Sequence, residues 1–135
     1  MEEKALTVLF IDDNKDFLAL TEEELESAYY NIKTVLVTMM SESLLDQIRQ
    51  CKPDLIFLDV MFSRKFSNSL ASEMRHDAQL KAVPMYLMSF LDIDEIMAIA
   101  NKEEVNGAFM KPIKREDIQA LLKKHFNIEI ELEED

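Results

Sequence analysis

The chain has 135 residues, 48% hydrophobic and 31% charged, which suits one globular domain with its own core and excludes a disordered composition. Its formal net charge of −12 repels phosphate backbones and anionic lipid, so neither nucleic acid nor membrane is an expected partner. A lone cysteine, Cys51, excludes an internal disulfide and a cysteine zinc cluster, and a start of Met1-Glu2-Glu3-Lys4 lacks the basic and apolar regions of a signal peptide, so a cytoplasmic location is expected.

Residues 6–11 (LTVLFI) form a short apolar run rich in branched side chains, the pattern of a strand buried on both faces. A helical stripe follows at Phe17, Leu18, Thr21, Leu25 and Ala28. Residues 34–38 (TVLVT) predict a second strand, and Leu44, Leu45 and Ile48 a second helix. Residues 55–58 (LIFL) predict a third strand, entered from Pro53-Asp54, and Leu70, Ala71 and Met74 mark a third helix. Residues 83–88 (VPMYLM) predict a fourth strand, followed by helical spacing at Ile93, Ile96, Met97 and Ala100. A weaker fifth strand falls at 107–110 (GAFM), and Ile118, Leu121 and Leu122 mark the last helix. Asn14 or Asp13, Ser41, Asn68 and Asp92 are suitable N-caps, and Glu42, Glu116 and Asp117 put acids in first turns, where the helix dipole favours them.

Five strands alternating with five helices predict an α/β domain over residues 1–126: a flavodoxin-like, doubly wound, five-stranded parallel sheet of order 2-1-3-4-5. Residues 127–135 form an acidic tail in which Ile128, Ile130 and Leu132 alternate with acids. That alternation suits an extra edge strand or a partner contact, but a frayed acidic terminus is the preferred reading.

In that topology Asp12 and Asp13 end the first strand and Asp59 the third, so the three carboxylates enter one crevice beside the switch point. Unpaired like charges so close repel one another, and a hard divalent cation such as Mg²⁺ relieves this with oxygen ligands while leaving a position for a phosphate oxygen. Acids after strands also serve as helix caps, which explains Asp13 more readily than Asp59. Ser89 ends the fourth strand and Lys111 the fifth, and both are expected at the same crevice. A carboxylate nucleophile attacking phosphorus needs the charge of the transferring group neutralised on several sides, and a cation, an ammonium and a hydroxyl supply this. His76 and His125 are isolated, helix-borne and expected at the surface, and the single glycine, Gly107, rules out a glycine-rich phosphate loop.

These residues resemble the receiver domain of two-component response regulators: Asp12-Asp13 in VLFIDDN, Asp59 in PDLIFLDVM, Ser89 in MYLMSF and Lys111 in FMKP. The resemblance covers residues 5–126. It implies that Asp59 accepts phosphate from a histidine kinase, a histidine phosphotransfer protein or a small phosphodonor. It also implies that Asp13, Asp59 and the Met61 backbone carbonyl hold Mg²⁺, with Asp12 acting through water. Lys111 then pairs with the phosphoryl group, Ser89 swings toward it, and the Lys111-Pro112 bond is cis. The protein is expected to be a standalone signalling module with an unidentified downstream protein, not an enzyme beyond its own phosphorylation and dephosphorylation.

The pattern departs from the family at four places. Ala108 occupies the usual switch-aromatic position, with Phe109 expected on the other side of the strand. Ser63 and Ser67 replace the usual proline and glycine, so residues 62–68 are expected to differ in shape. Phe90 follows Ser89 where a small residue is usual, and it is expected to crowd the site. An alternative reading is a receiver-like interaction module that is not phosphorylated. An aspartyl-nucleophile phosphatase of haloacid dehalogenase type fits less well, because its nucleophile belongs to a D-x-D pattern on the first strand, and Asp12 and Asp13 are adjacent.

Met61 and Leu91 stand two residues after Asp59 and Ser89, where the resemblance implies that side chains overlook an acyl phosphate. Neither orients an attacking water as a base, so slow autodephosphorylation is predicted. Following phosphate loss over time in Met61→Asn and Leu91→Glu checks this: faster loss than wild type is expected, and unchanged loss in both contradicts it.

Overall fold

The computed structural model describes residues 6–38, 42–62, 65–66, 68–99 and 104–129. Its strands are β1 (Leu6–Asp12), β2 (Tyr30–Leu36), β3 (Leu55–Asp59), β4 (Met61–Phe62), β5 (Lys65–Phe66), β6 (Met85–Ser89) and β7 (Gly107–Met110). Its helices are α1 (Lys15–Glu24), α2 (Glu42–Cys51), α3 (Asn68–Arg75), α4 (Ile93–Ile99) and α5 (Arg115–Phe126). Five strands form one parallel sheet of order β2-β1-β3-β6-β7, the predicted 2-1-3-4-5 arrangement. The segment expected to differ in shape contributes β4 and β5, a separate antiparallel pair with Met61 in backbone register with Phe66 and Phe62 with Lys65. Ser63 and Ser67 lie outside the described residues, as do Ser41, Ala100 and tail residues 130–135.

The alternation of side chains along each central strand divides the core into two layers. Leu9, Ile11, Ile56, Leu58, Met85 and Leu87 pack with Leu44 and Ile48 of α2, Leu70 and Met74 of α3, and Ile96 of α4. Val8, Phe10, Leu55, Phe57, Tyr86 and Met88 pack with Leu18 of α1 and Ile118, Leu121 and Leu122 of α5. The rings of Phe10 and Phe57 stack at 4.8 Å across the β1–β3 pair. Truncating a ring so enclosed typically costs about 3–5 kcal/mol, a large share of a domain's stability.

Local chemistry sets the helix ends. Asn14 caps α1 by accepting the Phe17 N–H, Asp92 accepts the Asp94 N–H at the start of α4, and Asp117 accepts the Lys114 N–H at the start of α5. With no glycine nearby, α2 and α5 end against Lys52 and Asn127 in the left-handed region. The Arg75 guanidinium donates to the carbonyls of Glu104 and Val83 and to Asn106 Oδ1, tying the end of α3 to the segments entering β6 and β7.

The expected elements need three corrections. β2 begins at Tyr30, four residues before the apolar run, because β1 continues to pair with it through Asn31 and Lys33. α1 stops at Glu24, leaving Ala28 exposed beyond it. His125 is only partly at the surface: it is half-buried and its Nε2 lies 2.6 Å from the Tyr86 hydroxyl. His76 is exposed, in the turn just after α3. Ile128 packs against the α1/α5-side core, and residues 128–129 form no strand. Among the described residues no helix is long and apolar enough to cross a membrane.

Candidate functional site

Three parallel strands deliver the charged groups. Asp12 closes β1, Asp59 closes β3, and Lys111 follows β7, whose Met110 is in register with Ser89. Asp12 and Asp59 continue the alternation of Val8 and Phe10 and of Leu55 and Phe57, the residues facing the α1/α5 layer. Lys111 is likewise two residues beyond Phe109 of that layer. The shared side is what brings the three groups together at the carboxyl ends of the strands.

The Lys111 ammonium lies 2.7 Å from Asp12 Oδ2 and 3.2 Å from Asp59 Oδ1, with both carboxylates buried. The Lys111 side chain is only 6% exposed, at the crevice where the sequence places it. Asp12 Oδ1 accepts the Asn14 N–H at 3.0 Å. Asp12 Oδ2 is fully buried and, although paired in charge with Lys111, receives no hydrogen bond of acceptable geometry. Asp13 is exposed at the mouth, and one carboxylate oxygen from each of Asp12, Asp13 and Asp59 lies within 4.8 Å of the others.

This donor set fits a hard divalent cation. It is all oxygen and gathers three carboxylates, two of them buried. The electrostatics agree. Burial, then the neighbouring Asp12 charge, push the Asp59 carboxyl up to about 6; Asp13 adds to this, and Lys111 opposes it.

Ser89 is buried at the end of β6, and its hydroxyl accepts the Leu91 N–H at 3.1 Å. The loop following β6 is thus bonded back onto Ser89. Lys111-Pro112 is cis, as the resemblance implied. Ala108 packs with the α2–α4 layer, whereas Phe109 packs among Phe57 and Tyr86 on the opposite side. The absence of an aromatic at position 108 is therefore not made good by its neighbour.

The family model for the response regulator receiver domain matches residues 8–123. The chain belongs to this family. Solved structures with the same fold include a two-component response regulator from Clostridium difficile, 23% identical with a TM-score of 0.71, covering 91% of this chain and 97% of that one. A putative response regulator from Chloroflexus aurantiacus is 22% identical with a TM-score of 0.70, over 90% and 97% of the two chains. The chemotaxis response regulator CheY4 of Vibrio cholerae is 19% identical with a TM-score of 0.69, over 88% and 97%. At such identities the likeness is one of fold. No curated protein matches the sequence significantly.

Sequence reasoning missed one part of this receiver's site. Phe17 of α1 was read only as a core-stripe residue and Phe90 only as an obstruction. In the structure both rings stand over the Lys111 ammonium, at 4.4 and 5.3 Å from their centroids. Their positions just after the acid pair and just after Ser89 were the available signal. A polar cleft lined by Arg75, Lys81, Val83, Glu104 and Asn106 lies at the opposite ends of β6 and β7, remote from the carboxylates.

The raised Asp59 pKa means that the folded state holds its proton more tightly than the unfolded chain, whose carboxyl titrates near 3.9. Asp59 therefore lowers stability progressively as pH rises through about 6, and the penalty vanishes well below about pH 4. Asp59→Asn is predicted to melt several degrees above wild type at neutral pH, with the gap shrinking on acidification. Added Mg²⁺ should stabilise wild type more than the variant. Thermal melts across pH check this; a variant that is less stable at neutral pH contradicts it.

Proposed function

We propose that this receiver domain accepts a phosphoryl group on Asp59 and signals through protein–protein contacts. The observation carrying the proposal is the Asp59 carboxylate buried at the end of β3 beside Asp12, with the Lys111 ammonium 3.2 Å away. A carboxyl raised to about 6 is still mostly ionised at neutral pH, yet more basic and so more nucleophilic than an ordinary aspartate. An Asp59 oxygen attacks the phosphorus of a phosphoimidazole or an acyl phosphate. A new P–O bond forms to Asp59, the donor's P–N or P–O bond breaks, and its electron pair leaves with the imidazole or the carboxylate. Lys111 neutralises one phosphoryl oxygen. The Ser89 hydroxyl meets another after releasing the Leu91 N–H, which frees the loop beyond β6 to shift its population.

Asp13, Asp59 and the Met61 backbone carbonyl would hold Mg²⁺, with Asp12 supporting it through water. When bound, the cation neutralises phosphoryl charge and the mutual repulsion of the three acids. The donor partner in this reading is a histidine kinase or histidine phosphotransfer protein, and the chain is a phosphoacceptor whose only catalysis is its own phosphorylation and dephosphorylation. A fixed, unphosphorylated interaction module is the second reading, favoured by Ala108 and its lack of an aromatic on the α2–α4 side.

Intact-protein mass after incubation with acetyl phosphate tests the proposal. One added phosphoryl group is expected, requiring Mg²⁺ and lost in Asp59→Asn. No addition under any condition contradicts it and leaves the interaction module.

A further inference from the structure

Phe90 is 68% exposed, an unfavourable place for a large apolar ring. The contacts it makes are specific. Its ring meets that of Phe17 edge to face at 6.4 Å and 78°, and the Lys111 ammonium sits in the corner between them. Lys111 has three N–H donors. Asp12 and Asp59 lie on one side of the ammonium, and the two ring faces cover it on another, where their negative quadrupoles attract a cation. The Lys111 side chain is 6% exposed, and such contacts are worth more for a desolvated cation than at an open surface.

Both rings are themselves tied to the site backbone. Asp12 accepts the Asn14 N–H, and Asn14 in turn accepts the Phe17 N–H, so the residue that pairs with Lys111 also fixes the start of the helix carrying Phe17. Phe90 lies between Ser89 and Leu91, whose hydroxyl–amide bond closes the loop around it.

We infer that Phe17 and Phe90 form an aromatic clamp that positions the Lys111 ammonium against Asp12 and Asp59. The clamp deepens the phosphoacceptor reading and rests on it for its consequence, although the contact exists in the unmodified protein. A long, flexible lysine side chain between two carboxylates has other places to go, including bulk water. The rings remove that freedom, so that Lys111 is already in place when phosphoryl charge arrives. Because Phe90 belongs to the loop that Ser89 releases, movement of that loop opens one wall of the clamp. The loop is thereby coupled to Lys111 through a ring at position 90, in a chain whose position 108 carries none.

The test compares wild type with Phe90→Leu and Phe90→Tyr; residue 90 is exposed enough for substitution to leave the core intact. Two readouts are needed. The first is the NMR position of the Lys111 ε-methylene, which ring currents displace from that of a free lysine. The second is the rate of Mg²⁺-dependent phosphorylation by acetyl phosphate. Wild type is expected to show the displaced signal. Phe90→Leu should move it toward the free-lysine position and slow phosphorylation on the order of tenfold, and Phe90→Tyr, which keeps the ring face, should retain both. A wild-type Lys111 signal at the free-lysine position overturns the clamp, as does a leucine variant that leaves the signal unmoved. Faster phosphorylation in the leucine variant also overturns it, because Phe90 would then be an obstacle. If wild type accepts no phosphate at all, the phosphoacceptor reading fails, and the Lys111 signal alone decides the clamp.

Discussion

Two buried carboxylates, Asp12 and Asp59, share the ammonium of Lys111, and the remainder of the site is arranged around that contact. One ammonium stands against two buried carboxylates, with the Asp13 carboxylate close by at the mouth. Burial raises the cost, because charges screened weakly by water repel more strongly. The raised Asp59 pKa is the local expression of that imbalance. A bound divalent cation would reduce it, and the proposed phosphoryl group would place new charge where Lys111 already stands. A site with this imbalance is sensitive to its ligands, as a signalling domain requires.

The sheet makes the imbalance affordable. Val8 to Ile11, Leu55 to Leu58 and Met85 to Met88 are buried on both faces, so the central strands are held in register from two sides. The acids extend from the ends of these strands and inherit their rigidity. The contacts that the proposed switch would change involve the loop leaving β6: the Leu91 N–H with the Ser89 hydroxyl, and Phe90 with Lys111. In the proposed function, chemistry would thus sit on the rigid framework and response on the loop beside it.

Much of this was legible in the sequence, for a physical reason. A strand buried on both faces is written as a continuous apolar run, so β1, β3 and β6 announce themselves, and the polar residue that ends such a run is a candidate for the crevice. Asp12, Asp59 and Ser89 were found this way, and Lys111 at the end of the weaker run that forms β7. β2 was read short because an edge strand mixes buried Tyr30 and Val35 with Asn31 and the exposed Lys33, so its pattern is diluted. The burial of Lys111 was not legible, since a lysine after a strand is ordinarily solvated. Nor were the Phe17–Phe90 corner or the Tyr86–His125 bond, each of which joins distant segments whose meeting depends on how helices settle on the sheet.

The central claim is that Asp59, rather than another of the clustered acids, takes the phosphoryl group. Borohydride reduction of the protein after treatment with a phosphodonor and Mg²⁺ tests it most directly, because it converts a phosphoaspartate to homoserine that peptide mass mapping can place. The account predicts homoserine at position 59 alone. Homoserine at position 12 or 13, with Asp59 unchanged, would contradict it.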